Sequence, residues 1–134
     1  GCAMGTFVIS GLHNGFNSFG VDLSRYAIER GRAVFGLRNR LFTGDITDGV
    51  YGMDKFGFIS MLDIVEHIER PVEFLSAIHR FSEDKAIVLA RIPVVEENDF
   101  DPNLLWWDHV LYYPIDTLKR LFHNAGFRII AIED

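Results

Sequence analysis

The sequence predicts an α/β protein with a mostly parallel, twisted sheet and flanking helices. Short apolar runs alternate with helical patterns along the whole chain, which is the arrangement of βαβ units. Three of the runs end next to an aspartate, at Asp22, Asp45 and Asp63. The length of 134 residues is typical of one domain, so we expect residues 1–134 to form a single domain.

The first part of the chain predicts two helices and two short strands. A glycine-rich start leads into a short helix, and Asn14-Gly15 marks a turn after it. Ser24 is a suitable N-cap for the second helix, because its hydroxyl can accept a backbone N–H bond. The predicted elements are a helix over 6–12, a strand over 19–22, a helix over 25–33 and a strand over 40–43.

The second part predicts a longer alternation. Pro71 suits the first turn of a helix, and Gly126 suits the residue after the end of the last helix, which Asp116 is expected to cap. The run 86–90 is continuously apolar, which is typical of a strand that is covered on both faces. The predicted elements are a strand over 56–62, a helix over 71–81, a strand over 86–90, an irregular stretch over 93–114, a helix beginning at Asp116, and a strand over 127–132.

Composition excludes several classes of protein. Hydrophobic residues make up 49% of the chain, which disfavours disorder, and the single cysteine excludes an internal disulfide and fits a reducing, cytoplasmic compartment. There is no apolar run long enough to cross a bilayer and no basic segment of the signal-peptide kind at the start. Residues 51–134 carry 8 basic and 15 acidic residues, so we expect neither nucleic acid nor membrane as a partner.

Acidic residues at the ends of parallel strands have a chemical use. Ligands of open parallel sheets bind beyond the carboxyl ends of the strands, where a carboxylate can accept hydrogen bonds from ribose hydroxyls or an adenine amino group. The ordinary alternative is that Asp22, Asp45 and Asp63 serve as helix caps or turn residues. The sequence has neither a G-x-G-x-x-G fingerprint nor a phosphate loop, so a nicotinamide-dependent oxidoreductase is only a third hypothesis.

Five segments together resemble the class I S-adenosylmethionine-dependent methyltransferases that act on small molecules. The segment 63–71 is the most specific, since it resembles the family signature D-V-L-E-H-I-x-x-P. The others resemble the glycine-rich first motif, the acidic end of the second strand, the adenine-side motif and the final L-x-x-L-L-x-x-A-G-F; they lie at 1–7, 20–24, 44–46 and 118–127. The resemblance implies a Rossmann-like fold and methyl transfer from S-adenosylmethionine, with S-adenosylhomocysteine as product.

The resemblance also implies roles for individual residues. Gly1, Cys2 and Gly5 belong to the motif that approaches the methionine part of the cofactor. Asp22 is implied to bind the ribose hydroxyls and Leu23 to pack near the adenine. Asp45 is implied to accept from the adenine amino group and Ile46 to cover the ring. Leu62 is implied to contact the cofactor near its sulfonium.

The chain departs from the family pattern in two ways. Ala3 stands where the family has its middle glycine. The strand that normally precedes the first motif, with its terminal acid, is not in the sequence, so we expect a chain that is truncated within this motif and a sheet that lacks its usual first strand. Exposed inner strand edges favour association, so we expect either a homodimer or a gap that another segment fills.

Histidines are the candidates for a general base. His109 lies in the aromatic segment 106–113, which the family would place over the mouth of the active site, and His67 follows the fourth strand of the family pattern. Each has an ordinary alternative, His109 as a loop residue packed among aromatics and His67 as a residue that fixes the adjacent loop. The tryptophans and tyrosines of the same segment either line an acceptor pocket or belong to the core.

The hypotheses for function are therefore ordered. The first is a methyltransferase that acts on an oxygen, nitrogen or carbon atom of a small-molecule acceptor. The second is a catalytically inactive methyltransferase-like module for binding or oligomerisation, which Ala3 and the absent strand favour. No His, Cys or Asp cluster has the spacing of metal ligands, so no metal is predicted.

Overall fold

A computed structural model describes residues 1–48, 55–95 and 108–133 of the chain. The chain forms two compact units, Gly1–Met53 and Asp54–Asp134, and each is described by itself. Both combine parallel strands with flanking helices, so the predicted α/β class is confirmed, although each sheet is small. The expectation of a single domain stays a prediction.

The first unit contains a two-stranded parallel sheet with helices. Strand β1 pairs with β2 so that Gly20 lies opposite Leu41 and Asp22 opposite Thr43. The amide of Gly44 donates to the carbonyl of Asp22 over 3.0 Å, which joins the carboxyl ends of the two strands. The elements in chain order are α1 (Thr6–His13), β1 (Gly20–Asp22), α2 (Arg25–Phe35), β2 (Leu41–Thr43) and a short 3-10 turn (Ile46–Asp48).

Helix α2 begins where the sequence predicts a cap and ends two residues later than predicted, at Phe35. The hydroxyl of Ser24 accepts a hydrogen bond from the amide of Ala27 over 3.2 Å, which satisfies one of the free donors of the first turn. Gly36 ends the helix in the left-handed conformation, at φ 69°. The apolar side of this unit forms a small core of Val8, Ile28, Leu37 and Leu41.

The second unit contains the longer strands. Strands β3 and β4 pair in parallel, with Phe58 opposite Ile87 and Leu62 opposite Arg91. Pro71 occupies the first turn of helix α3, where its missing N–H removes no helical bond. The elements are β3 (Phe56–Leu62), a 3-10 turn (Val65–His67), α3 (Pro71–Arg80), β4 (Ser82–Arg91) and α4 (Ile115–Asn124).

Strand β4 is longer than predicted, and its two faces are not both covered. Ile87 and Leu89 keep 53% and 47% of their surface exposed, whereas Val88 between them is half-buried. Phe58, the neighbour of Ile87 on β3, is 50% exposed. The prediction of two covered faces is therefore wrong for the described residues. An apolar run makes a strand suitable for burial on both faces, but whether both are buried depends on other elements that pack against it.

Two boundary predictions in the last segment are also wrong. Helix α4 begins one residue earlier, after Pro114, so Asp116 lies inside the first turn and pairs with Lys119 over 2.9 Å instead of capping the helix. Residues 127–133 do not form a strand, because no strand pairs with them in the described chain, and Ile130 is largely exposed. Gly126 does end α4 as predicted, with φ 91°.

Among the described helices there is none with the length and apolarity needed to cross a membrane.

Candidate functional site

The glycine-rich loop Gly1–Gly5, called here the glycine loop, lies against strand β1. The terminal ammonium group of Gly1 and the amide of Cys2 both donate to the carbonyl of Val21, over 2.9 and 3.0 Å. The amide of Gly5 returns to the carbonyl of Cys2 over 2.8 Å, which closes the turn before helix α1. The loop is thereby fixed beside the carboxyl end of β1.

Two residues of the glycine loop have left-handed backbone conformations. Gly5 has φ 83°, and a methyl group on it would lie 2.8 Å from Cδ2 of Leu41, so this position requires glycine for both conformation and packing. Ala3 has φ 47° although it carries a side chain. The left-handed conformation of this turn therefore explains why the family has a glycine at the position of Ala3.

Replacing Ala3 by glycine is expected to raise the free energy of unfolding by about 0.5–1 kcal/mol. The left-handed conformation costs an alanine about 1–2 kcal/mol, and the greater freedom of glycine in the unfolded chain removes part of the gain. Urea unfolding followed by circular dichroism measures the change. Ala33→Gly, at an exposed position inside α2, is the control and should destabilise the chain. Equal losses from both variants would contradict the left-handed conformation of Ala3.

Cys2 is a packing residue in this loop. A methyl group on Gly20 would lie only 2.6 Å from the Sγ atom of Cys2, so the loop and the strand are in close contact. Desolvation of the half-buried thiol is the main reason why the pKa of Cys2 is raised to about 11. The thiol is therefore protonated at neutral pH, which argues against a nucleophilic role for Cys2.

Asp22 joins the glycine loop to the start of α2. Its Oδ2 accepts a hydrogen bond from the amide of Ala3 over 2.7 Å, and its Oδ1 accepts from the amide of Ser24 over 2.8 Å. The bond to Ser24 is of the turn kind that the ordinary alternative describes, whereas the bond to the amide of Ala3 was not predicted. Each carboxylate oxygen keeps a second acceptor direction, so these bonds are compatible with the implied role toward a ribose.

The other candidates of the first unit lie beside the ends of β1 and β2. Leu23 follows Asp22 and is 70% exposed. Oδ1 of Asp45 accepts from the amide of Thr47 over 2.8 Å and from its hydroxyl over 2.7 Å, and this turn encloses the half-buried Ile46, which begins the 3-10 segment. The structure therefore brings six of the candidates to the carboxyl ends of β1 and β2, whereas Gly5 packs on Leu41 at the start of β2; the six are Gly1, Cys2, Asp22, Leu23, Asp45 and Ile46.

Asp63, the third strand-end acid, is engaged in the second unit. Its carboxylate accepts from Nε of Arg91 over 2.9 Å and from the Nη2 atom of the same guanidinium, across the ends of β3 and β4. These hydrogen bonds hold the pKa of Asp63 below its ordinary value. The described contacts give this acid a role in joining two strands, which is neither the implied cofactor role nor the helix-cap or turn role of its ordinary alternative.

His67 and His109 are neighbours in the second unit. Their ring centroids are 4.9 Å apart in an edge-to-face arrangement. The approach is produced by the backbone, because the amides of Val110 and Leu111 both donate to the carbonyl of Glu66 over 3.0 Å. Leu62, the remaining candidate, is the half-buried last residue of β3, opposite Arg91.

The tautomer of His67 follows from its hydrogen bond. Nδ1 lies 2.8 Å from the carbonyl oxygen of Asp108. A carbonyl oxygen only accepts, so Nδ1 carries the proton, and in the neutral ring Nε2 holds the lone pair. His67 therefore fixes the segment that carries His109, which is not the adjacent loop of its ordinary alternative, and its Nε2 atom holds the lone pair.

Glu66 is a functional candidate that sequence analysis missed. Its side chain is 1% exposed, and within the described residues neither carboxylate oxygen has a hydrogen-bond partner. One potential ligand atom from each of Glu66, His67 and His109 lies within 4.8 Å of the others; these three residues are called here the Glu-His-His cluster. The acid beside His67 in the signature motif was the available signal, but its burial could not be inferred from the motif.

The aromatic residues near His109 are partly described. Trp106 and Trp107 lie outside the described residues, so the acceptor-pocket hypothesis for them stays a prediction. Tyr113 is buried and pairs in an isolated bridge with Val94. Burial, followed by the nearby Glu66 carboxylate, raises the pKa of Tyr113, so this tyrosine belongs to the core beside the Glu-His-His cluster.

Comparison with protein families matches residues 1–132 to the methyltransferase domain family. The chain belongs to this family. The match spans both described units, and the sequence resemblance to methyltransferases is thereby confirmed. A comparison with curated proteins gives no match.

Among solved structures, this methyltransferase domain is similar to the PH0226 protein from Pyrococcus horikoshii OT3. The TM-score is 0.57 and the sequence identity is 21%, so the likeness concerns the fold alone. The matched region covers 72% of this chain and 45% of the other one. The methyltransferase domain described here thus spans less than half the length of that protein chain.

Proposed function

We propose that this chain transfers a methyl group from S-adenosylmethionine to an oxygen, nitrogen or carbon atom of a small-molecule acceptor. The observation that carries the proposal is the hydrogen bond of 2.7 Å between the amide of Ala3 and Asp22, which holds the glycine loop at the end of a parallel strand. Ligands of parallel sheets bind at such ends. Membership of the methyltransferase domain family supports the assignment of the cofactor.

The residues of the first unit suit the parts of this cofactor. Asp22 offers its remaining acceptor directions to the ribose hydroxyls, and the exposed side chain of Leu23 offers an apolar surface to the adenine. Asp45 would accept from the adenine amino group, beside Ile46. Gly1, Cys2 and Gly5 would face the methionine part.

The chemical demand on the protein is modest. S-adenosylmethionine supplies a methyl group that is already activated by a sulfonium, so the residues of the chain mainly bind and orient the reactants. An oxygen or nitrogen acceptor also needs a site for its proton. His67 and His109, whose ring centroids lie 4.9 Å apart, are the candidates to receive it when their ring nitrogens carry no cation.

The deciding experiment is a calorimetric titration of the chain with S-adenosylmethionine and S-adenosylhomocysteine. Binding of both is expected, and Asp22→Ala is expected to weaken it about 10- to 100-fold, because hydrogen bonds to a charged group contribute about 1.5–3 kcal/mol. Asp48→Ala is the matched control, since it removes the same charge from an exposed position in the same unit and should leave binding unchanged.

Failure of the folded chain to bind either compound would contradict the proposal. It would favour the second candidate, a catalytically inactive module for binding or oligomerisation, for which the left-handed Ala3 in place of glycine is the specific observation. The expected homodimer stays a prediction. The exposed apolar side chains of Phe58, Ile87 and Leu89 support it.

A further inference from the structure

We infer that the Glu-His-His cluster is a binding site for a first-row divalent cation such as Zn²⁺ or Co²⁺. The buried carboxylate of Glu66 is the first observation. Removing a carboxylate from water without a partner costs several kcal/mol, and neither oxygen of Glu66 accepts a hydrogen bond from the described residues. A cation between Glu66 and the two imidazoles would supply the missing interaction.

The second observation is the distance between the potential ligand atoms. All three lie within 4.8 Å of one another. In the tetrahedral geometry of zinc, ligand atoms bound at about 2.0–2.2 Å are about 3.3–3.6 Å apart. Side-chain rotations that move the atoms by up to about 1.5 Å would therefore bring Glu66, His67 and His109 to a common ion.

The third observation is the orientation of His67. Metal-binding histidines generally donate their other ring N–H to a carbonyl or carboxylate, which fixes the ring and the tautomer. The Nδ1 atom of His67 makes this kind of hydrogen bond, to the carbonyl oxygen of Asp108 over 2.8 Å, and leaves the lone pair on Nε2. The support for a metal ligand is thus already present in the protein.

The ligand types select the cation. Two imidazole nitrogens with one carboxylate suit zinc, cobalt, iron and manganese, whereas calcium and magnesium prefer sites made of oxygen atoms. Three protein ligands leave at least one coordination position for a small ligand.

A Co²⁺ titration of the chelator-treated chain tests the site without any methyl donor. We expect a visible ligand-field absorption that saturates at one equivalent, disappears when Zn²⁺ is added, and shifts with azide if a position is open. Absence of the absorption would overturn the site, and binding without an azide response would overturn the open position. Failure to bind S-adenosylmethionine would leave this result untouched, so the two proposals fail separately.

Variants locate the cation. Glu66→Gln and His67→Ala are each expected to weaken Co²⁺ binding more than about 100-fold. Removing a group that only hydrogen-bonds to a metal ligand weakens binding about 10- to 100-fold, so a larger loss marks a ligand itself. Glu66→Gln is decisive because it leaves the bond between His67 and Asp108 in place. Glu69→Gln and His123→Ala, both at exposed positions of the same unit, are the matched controls. Unchanged binding by Glu66→Gln would overturn the proposal and mark the binding as adventitious.

Discussion

Replacing Gly31 by alanine is expected to lower the free energy of unfolding by roughly 2 kcal/mol or more. Gly31 is a buried residue of helix α2, and a methyl group on it would lie 2.1 Å from the carbonyl oxygen of Met4 and 2.8 Å from Cδ1 of Leu41. A leucine side chain can rotate away, but the Met4 carbonyl belongs to the backbone of the glycine loop. The helix and the loop must therefore separate.

The sign of this effect is diagnostic. In an exposed helix interior, the same substitution stabilises by about 1 kcal/mol, because alanine is the better helix former. Urea unfolding of the variant measures the balance, with Arg30→Ala on the exposed neighbouring position as the control. A stabilised Gly31→Ala chain would mean that α2 does not pack against the glycine loop. Since that loop carries Gly1, Cys2 and Gly5, the destabilised variant should also bind S-adenosylmethionine more weakly.

Local chemistry made most of the elements predictable from the sequence. Ser24, Pro71 and Gly126 mark helix boundaries by hydrogen bonding or backbone geometry that belongs to the residue itself. The strand over 127–132 was wrongly predicted because a strand exists only with a neighbour to pair with. The uncovered face of Ile87 and Leu89 has the same origin, since burial depends on other elements of the fold.

The candidate site was predictable to a similar extent. The position of Asp22 at a strand end followed from the alternation of apolar and polar residues, but its bond to the amide of Ala3 depends on the turn that the glycine loop adopts. The proximity of His67 and His109 was hidden, because it arises when the carbonyl of Glu66 binds two amides of a distant segment. Long-range backbone contacts of this kind leave no periodic pattern in a sequence.

Replacing Glu66 by methionine is expected to raise the free energy of unfolding of the metal-free chain by about 1–3 kcal/mol. The side chain is buried, and a carboxyl group in either protonation state needs hydrogen-bond partners that the described residues do not give it. Methionine has a similar length and is flexible enough to fill the same space. The carbonyl of Glu66, which accepts from Val110 and Leu111, belongs to the backbone and is retained.

Urea unfolding in the presence of a chelator measures this difference, and Glu69→Met at an exposed position three residues away is the matched control. A destabilised Glu66→Met chain would mean that the carboxylate already has a stabilising partner within the protein. A stabilised Glu66→Met chain would mean that Glu66 lowers the free energy of unfolding and is present for a reason other than stability. Residues that lower stability in this way are typical of functional sites, where chemistry rather than packing determines the side chain. Added Zn²⁺ should then stabilise the original chain and leave Glu66→Met unchanged, because only the original chain has a complete set of ligands.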